Sequence, residues 1–505
     1  MSTTAEPTTD RATTRSWVAL GVLMLPVLLV SIDNTVLSFA LPHIARDLTP
    51  TAAAQLWIVD AYPLVLAGLL VAMGNLGDRF GRRRLLLIGA SGFALVSVLA
   101  AFAGDAGQLV AARVLLGVFG SMIMPATISL LRTIFTDRRQ RRLAVAIWAT
   151  GFSAGSAIGP IVGGVLLEHF WWGSVFLIAV PLLLPLLVLA PALIPDSRDP
   201  HPGPFDLASI LLSMAALAPV VYAIKLVATE GIGVVAVALL VVGVTAGVFF
   251  VRRLLHQPNP MLDMKLFRVP SFSGAVVVNL VSVFSLVGFL FFLTQHLQLV
   301  LGMAPLDAAI ALIPGTVTII VAGLVVVPIV RHVRPGYLMA IGLGMSLLAY
   351  ASVAVVGGDA TVFSLVAAFS VLGAGIGAAE TLSNDLIISS VPEGKAGAAS
   401  GVSETAYELG AVLGTAVLGS ILAASYRGSI VIPAGVSGAD ATSARETLGG
   451  AVEVASGLPG GVGDDLLASA RAAFDSGVVA TSWVAVALMA VAMTVTLVTL
   501  RRARA

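Results

Sequence analysis

Gly74-Asn75-Leu76-Gly77-Asp78-Arg79-Phe80-Gly81-Arg82-Arg83-Arg84 lies between two apolar runs, 54–75 and 84–103, and its reading decides the fold. Each run is long enough to cross about 30 Å of hydrocarbon as a helix. The stretch between them has room only for a tight turn, which its glycines permit. Its four arginines mark it as a turn that stays in the cytoplasm. Asp78 among them can cap a helix terminus or pair with an arginine, so the turn holds more than charge anchoring requires.

Outward from that turn the chain keeps the same character. Of its 505 residues, 58% are hydrophobic and 11% charged, and the mean hydropathy is +1.02. A soluble protein of this length cannot hide so much apolar surface, because burial on folding saturates near roughly three quarters. Hydropathy marks fourteen segments, near 17–41, 54–75, 84–103, 107–131, 143–167, 172–194, 206–228, 231–251, 273–300, 308–330, 337–357, 361–391, 397–424 and 478–500. An even number puts both termini on one side. Of the 28 Lys and Arg residues, 22 then fall inside and five outside (Arg46, Lys225, Arg427, Arg445, Arg471), while Arg113 lies within the membrane. That bias makes the shared side cytoplasmic. The fold class is an all-α polytopic membrane protein with fourteen transmembrane helices.

The spans divide into halves. Residues 1–16 form a cytoplasmic tail and 17–194 a first six-helix bundle; 195–272 hold two inserted helices with flanking cytoplasmic loops, 273–500 a second six-helix bundle, and 501–505 a cytoplasmic tail. Arg331-His332-Val333-Arg334-Pro335-Gly336 faintly repeats the basic turn in the second half. Repeated halves around a central path are a transporter architecture. One connection is long, the outside segment 425–477. Ser443-x-x-Glu446 reads there as a capping box, followed by Leu448, Val452 and Ala455 at helical spacing. After the breaker Pro459-Gly460-Gly461, Asp464-Asp465 open a second run through Leu466, Leu467, Ala470 and Phe474. The expectation is two short amphipathic helices folded back on each other, with an irregular loop as the alternative.

Several functions are excluded. A net charge of +1 gives no field for nucleic acid, and the absence of cysteine excludes thiol chemistry. None of the three lysines sits in GxxxxGK[ST], so the chain has no ATP-binding loop of its own. No metal-ligand spacing and no nucleophile–base pair stands out, which disfavours an enzyme. A channel is disfavoured because no filter-like repeat appears. No cofactor is expected.

Charge in hydrocarbon costs at least about 2.5–3.5 kcal/mol, so intramembrane ionisable residues mark function. They are Asp33 in span 1, Asp60 in span 2, Arg113 in span 4, Glu380 and Asp385 in span 12, and Glu404 and Glu408 in span 13. Asp33, within Ser31-Ile32-Asp33-Asn34-Thr35, is either a functional carboxylate or a local cap at a kink. Glu404 and Glu408 share one face of a helix, one turn apart. Two carboxylates so close in a low dielectric do not both hold charge easily, so one can trade a proton for a cation; pairing with Arg113 or a loop base is the alternative. Glu380 and Asp385 fit a hydrated vestibule equally well, and Asp60 fits the outer interface. In span 5, Gly151, Gly155, Gly159 and Gly163 recur every four residues beside Pro160 and Gly164. That spacing is a groove for close helix approach, sliding or static.

These stretches resemble a known family. Gly74 to Arg84 looks like the conserved loop motif of the major facilitator superfamily. Gly155-Ser156-Ala157-Ile158-Gly159-Pro160-Ile161-Val162-Gly163-Gly164 looks like its antiporter motif, and Arg113-Val114-Leu115-Leu116-Gly117 like its span-4 motif. Asp33-Asn34-Thr35-Val36-Leu37-Ser38-Phe39-Ala40-Leu41-Pro42 resembles the span-1 signature of its fourteen-span drug:proton antiporters. Leu56-Trp57-Ile58-Val59-Asp60-Ala61-Tyr62 and Glu404-Thr405-Ala406-Tyr407-Glu408-Leu409-Gly410 are similar to the exporters of quaternary ammonium compounds, methyl viologen and dyes. Span 10 lacks the mid-membrane acid of some dication exporters in that family.

The resemblance implies a monomeric multidrug efflux antiporter, driven by the proton gradient, that exports lipophilic cations by alternating access. Asp33 and Glu404 would be its leading substrate- and proton-linked carboxylates, with Glu408 and Asp60 supporting. Arg113 would couple protonation to conformation, and Asp78 with Arg79, Arg82 and Arg83 would latch the inner gate. Glu380 and Asp385 receive no role. Phe39, Trp148, Phe152, Phe284, Phe289 and Tyr407 are candidate cavity aromatics. The rival reading is an exporter of one endogenous metabolite or lipid precursor.

Overall fold

The computed structural model describes residues 12–198, 206–257, 260, 264–391 and 396–500. The expected tails, up to residue 11 and over 501–505, lie outside the described residues, as does the Phe152 side chain. Among the described residues all regular structure is helical. The first half comprises α1 (Thr14–Asp47), α2 (Ala52–Phe80), α3 (Arg82–Ala101), α4 (Ala106–Ile134), α5 (Arg138–His169), α6 (Ser174–Leu177) and α7 (Ala179–Leu193). The inserted pair is α8 (Leu207–Glu230) and α9 (Val234–His256). The second half comprises α10 (Pro270–Gln295), α11 (Pro305–Ala311), α12 (Ile313–Ile329), α13 (Pro335–Val356), α14 (Val362–Ser389), α15 (Ala396–Gly414), α16 (Ser420–Ser429), α17 (Gly438–Glu446), α18 (Leu448–Ser456) and α19 (Gly460–Leu500).

Thirteen of the resulting spans are long and apolar enough to cross a membrane. The fourteenth, α5, has 32 residues and carries the apolar stretch Ile158–His169. Polar side chains start the helices where a membrane helix must satisfy its first amides: Thr13, Thr51, Asp105, Asp137 and Asp206 each accept from the backbone three residues on. Two spans are broken, α6 from α7 near Ile178 and α11 from α12 at Leu312. Two others pass through a π-helical turn, at His296–Val300 and Thr415–Gly419. The turn between α2 and α3 needs its glycine, because Gly81 has φ +111°.

In the first half α1 packs on α5, and α4 on both α2 and α3; in the second, α14 packs on α12 and α13, and α10 on α15. The two sets meet where α2 lies against α15 and α5 against α11. The inserted pair pack on each other and dock through α8 onto α2. On α9, Val234, Val235, Val237, Leu240, Val241, Val242 and Val244 are exposed, the face a lipid-embedded helix presents.

The long outer segment departs from expectation. Its expected first helix is cut in two, an unforeseen α17 ending at Glu446 and α18 carrying Leu448, Val452 and Ala455, and its second amphipathic run is no separate helix. α19 runs unbroken for 41 residues from Gly460, because nothing after Gly461 interrupts the helical pattern. Ser443 and Glu446 do not form a capping box, since both lie late in α17. The Glu446 carboxylate instead accepts from the Ala52 amide at 2.8 Å, capping α2 from across the molecule. Thr447 caps α18, accepting from the Gly450 amide.

Candidate functional site

Two polar centres lie within the helices, and sequence reasoning foresaw their members better than their pairings. The first is built on α1, α2 and α4. Gly117 brings α4 against α2: a β-carbon there would stand 2.8 Å from the Tyr62 carbonyl oxygen. That approach places Arg113, 2% exposed, among groups of two neighbouring helices. Its Nη1 lies 2.8 Å from Asp33 Oδ2, its Nε donates to the Ile58 carbonyl at 3.1 Å, and its guanidinium lies 4.6 Å from the Tyr62 ring centroid. Asp33 is therefore the counter-ion of Arg113 and not a local helix cap. One carboxylate, a carbonyl and an aromatic face together offset the burial of this arginine's charge.

The second centre is a cavity of about 230 Å³ lined by Met124, Trp148, Asn279, Glu380, Asn384, Ser400, Ser403, Glu404, Tyr407 and Glu408. Its acids come from two adjoining helices. On α15, Glu404 and Glu408 present one face a turn apart, as expected, and neither is ion-paired to Arg113. On α14, Glu380 lies one turn from Asn384, whose side-chain oxygen accepts from Ser403 across the helix pair. Trp148 is anchored by its ring N–H, which donates to Thr127 at 3.2 Å. Glu408 stands within Coulombic reach of both Arg113 and Asp33, which links the cavity to the ion pair. A negative, aromatic-flanked chamber suits an organic cation. A more open depression of about 500 Å³ at the outer end carries Arg427 and Arg445 and lacks that character.

The cavity lies toward the arginine-rich end. The opposite end is closed by Gln55 donating to Gln295 at 3.3 Å between α2 and α10, and by Gln298 donating to the Phe39 carbonyl at 3.3 Å.

Asp60 belongs to neither centre. It is completely buried, and the Lys225 ammonium of α8 stands 2.8 Å away, 3.9 Å from the Trp57 ring centroid. The expected interfacial acid is thus one half of an internal ion pair, and Lys225, assigned by sequence to the outside, is a second intramembrane base. The missed signal was Lys225 itself, a lone lysine inside an apolar run. Asp385 is exposed and is not among the residues that line the chamber. Phe39, Phe284 and Phe289 are packed in the core; of the six candidate aromatics, only Trp148 and Tyr407 line the chamber among the described residues.

The small-residue face of α5 receives α1. A β-carbon on Gly155 would stand 2.8 Å from Ser31 Cβ, and one on Gly163 2.7 Å from Val36 Cγ2; Gly159 abuts Thr35, and buried Pro160 follows. Gly164 turns to the other half, where a β-carbon would stand 2.7 Å from Leu306 Cα of α11. In the basic turn, Asp78 pairs with Arg82 at 2.8 Å. Arg83 donates to the Pro191 and Ile194 carbonyls at 3.1 and 2.9 Å, tying the turn to the end of α7, while Arg79 is exposed. Gly74 packs on Pro125, where a β-carbon would stand 3.6 Å from Pro125 Cβ, an ordinary van der Waals contact.

The sequence model of the Major Facilitator Superfamily matches residues 23–415. The chain is 55% identical to the multidrug efflux pump LfrA of Mycolicibacterium smegmatis, over 99% of this chain and 100% of that one. It is 35% identical to the methyl viologen resistance protein SmvA of Salmonella typhimurium, over 91% and 93% of the two chains. Among solved structures, a bacterial homologue of the human lysosomal transporter Spinster, in an inward-facing and unoccupied conformation, superposes with a TM-score of 0.66 at 16% identity, covering 98% of this chain and 99% of that one. Shared architecture and shared sequence thus lead to one assignment: the chain belongs to the Major Facilitator Superfamily and is a multi-pass membrane transporter, not an enzyme.

Proposed function

We propose that this protein is a proton-coupled antiporter that exports lipophilic cations by alternating access between its two six-helix bundles. The observation that carries the reading is the chamber holding Glu404 and Glu408 beside the Arg113–Asp33 pair. With the outer end closed, ionised carboxylates draw a cation in from the cytoplasmic side, and Trp148 and Tyr407 offer ring faces that add about 1–2 kcal/mol each when desolvated. Once the chamber faces outward, protons neutralise the carboxylates and the cation leaves. Arg113 senses that change electrostatically, because neutralising Glu408 removes a negative charge competing with Asp33 for its guanidinium. Exchange of one proton for a monocation is electroneutral; each further proton taps about 2.3 kcal/mol per 100 mV.

Ethidium accumulation in inverted membrane vesicles, whose cytoplasmic face is outward, under an imposed pH gradient tests the reading. Glu404→Gln and Glu408→Gln should each lower the rate at least about tenfold at unchanged protein level, the loss expected when one charge of a buried pair is removed. Wild-type rates in both variants would remove these carboxylates from the mechanism. Efflux unaffected by collapse of the pH gradient would remove the proton.

A further inference from the structure

The two halves meet along two seams, α2 against α15 and α5 against α11, and the inserted pair lies over the first of them. There α8 packs on α2 of the first half and, across the seam, on α16 and the π-helical turn Thr415–Gly419 of the second. A helix laid across a seam that opens and closes must follow one side and slide on the other.

The contacts of α8 differ on its two sides. Toward α2 they are polar, aromatic and close. The Lys225 ammonium stands 2.8 Å from Asp60 and 3.9 Å from the Trp57 ring centroid, and Tyr222 sets its ring 6.0 Å from that of Trp57. Deeper in the membrane, Ser213 donates to the Gly68 carbonyl at 3.4 Å, and Met214 abuts Gly68. Toward the second half the contact is apolar. Val221 of α8 and Leu64 of α2 share a buried cluster with Val412 of α15 and Ala416 of the π-helical turn, apart from the main core. Thr415 stands beside Asp60 with only a neutral hydroxyl.

We propose that α8 is a sliding cover over the α2–α15 seam, and that Lys225 is the positioning residue that makes it travel with the first half. This rests on the two halves rocking apart at the outer end. Parting Lys225 from Asp60 would leave two uncompensated charges in a low dielectric. Parting Val221 from Val412 and Ala416 exchanges one apolar neighbour for another, because lipid tails are as apolar as the side chains they replace. The Thr415 hydroxyl is replaceable by water once the outer end opens. The cheaper break therefore lies between α8 and the second half. As the outer end opens, α8 stays on α2 and moves off Val412 and Ala416.

The chain has no cysteine, so introduced pairs are its only thiols. Each pair is bridged with a short bifunctional thiosulfonate, which dithiothreitol reverses, and ethidium accumulation is followed in inverted vesicles. Bridging Gly68→Cys to Met214→Cys, α2 to α8, should leave the rate close to that of the unbridged pair. Bridging Val221→Cys to Ala416→Cys, α8 to the second half, should lower it at least about tenfold, as expected when a required motion is blocked, and dithiothreitol should restore it. The reverse pattern, or equal effects of the two bridges, would overturn the proposal. With Lys225→Arg, which keeps the charge, the second bridge should still block. With Asp60→Asn/Lys225→Met the block should ease, because the charges no longer assign α8 to α2; an undiminished block would overturn the part given to Lys225. Bridging Gln55→Cys to Gln295→Cys, across the closed outer end, tests the rocking separately. If that bridge spares export, the rocking itself fails and the cover with it, whatever the α8 bridges show.

Discussion

Lys225 Nζ stands 2.8 Å from Asp60 Oδ2, both residues completely buried, at the contact between the inserted helix α8 and the first-half helix α2. Thr415, in the π-helical turn of the thirteenth span, stands beside the same carboxylate. One ion pair therefore joins the inserted helices, the first half and the second half. Removing one member leaves an uncompensated charge and costs about 3–5 kcal/mol, whereas removing both is often nearly neutral. Lys225→Met should accordingly reduce the amount of monodisperse protein recovered in detergent and its thermal midpoint. The double variant Asp60→Asn/Lys225→Met should recover most of both. A double variant as unstable as the single one would mean that the pair's charges are not what holds the junction.

Arg113 holds Asp33 and the Ile58 carbonyl with different nitrogens of one planar group. A lysine ammonium cannot reproduce that fork. Arg113→Lys should lose roughly 1.5–3 kcal/mol, the worth of one charged hydrogen bond. Ethidium efflux should slow about ten- to hundredfold at equal protein level. Wild-type efflux would show that charge alone suffices at this position.

How much of this was legible in the sequence depends on distance along the chain. Span number, orientation and the basic turn rest on local composition, and hydropathy and arginine placement carry them. Glu404 and Glu408 were readable as a pair because four residues of helix fix their relation. Asp33 and Arg113 are 80 residues apart, and Asp60 and Lys225 farther still, so no periodicity announces either pair. Lys225 was misplaced because it stands near the outer end of its helix, where a lysine ordinarily snorkels to water. Glu446 was read within its own segment although its partner is the Ala52 amide. Local rules capture caps and turns; they are blind to a side chain that caps a distant helix.

The Gly164 contact between α5 and α11 has no room for a side chain, since a β-carbon there meets the Leu306 backbone at 2.7 Å and the Pro305 carbonyl oxygen at 3.1 Å. Backbone cannot swing aside as a side-chain tip can. Gly164→Ala should cost about 1–3 kcal/mol, the range for overpacking, seen as a lower thermal midpoint and slower efflux. Gly21→Ala, with nothing within 4 Å of the added carbon, is the control and should leave both unchanged. Equal behaviour of the two variants would mean that the halves do not pack tightly there.

At the cytoplasmic start of α8, burial opposes the Asp206 charge, but hydrogen bonds from Arg253, Ser209 and Gln257 outweigh it and hold the carboxyl well below the usual carboxylate range. The folded protein keeps this charge further into acid than the unfolded chain does. Its contribution is therefore complete above about pH 4 and fades as the pH falls below that. Asp206→Asn should lower the thermal midpoint at pH 7 by a margin that stays constant down to pH 5 and narrows only in stronger acid. A margin that closes between pH 7 and pH 5 would contradict the assignment.

The most direct measurement concerns exchange at the chamber. Purified protein in weakly buffered detergent solution, with a pH-sensitive dye, is titrated with tetraphenylphosphonium while binding is followed in parallel. Binding should release protons from wild type, and Glu404→Gln/Glu408→Gln should release far fewer. If wild type binds the cation without releasing protons, or the double variant releases as many, cation and proton do not compete for these carboxylates.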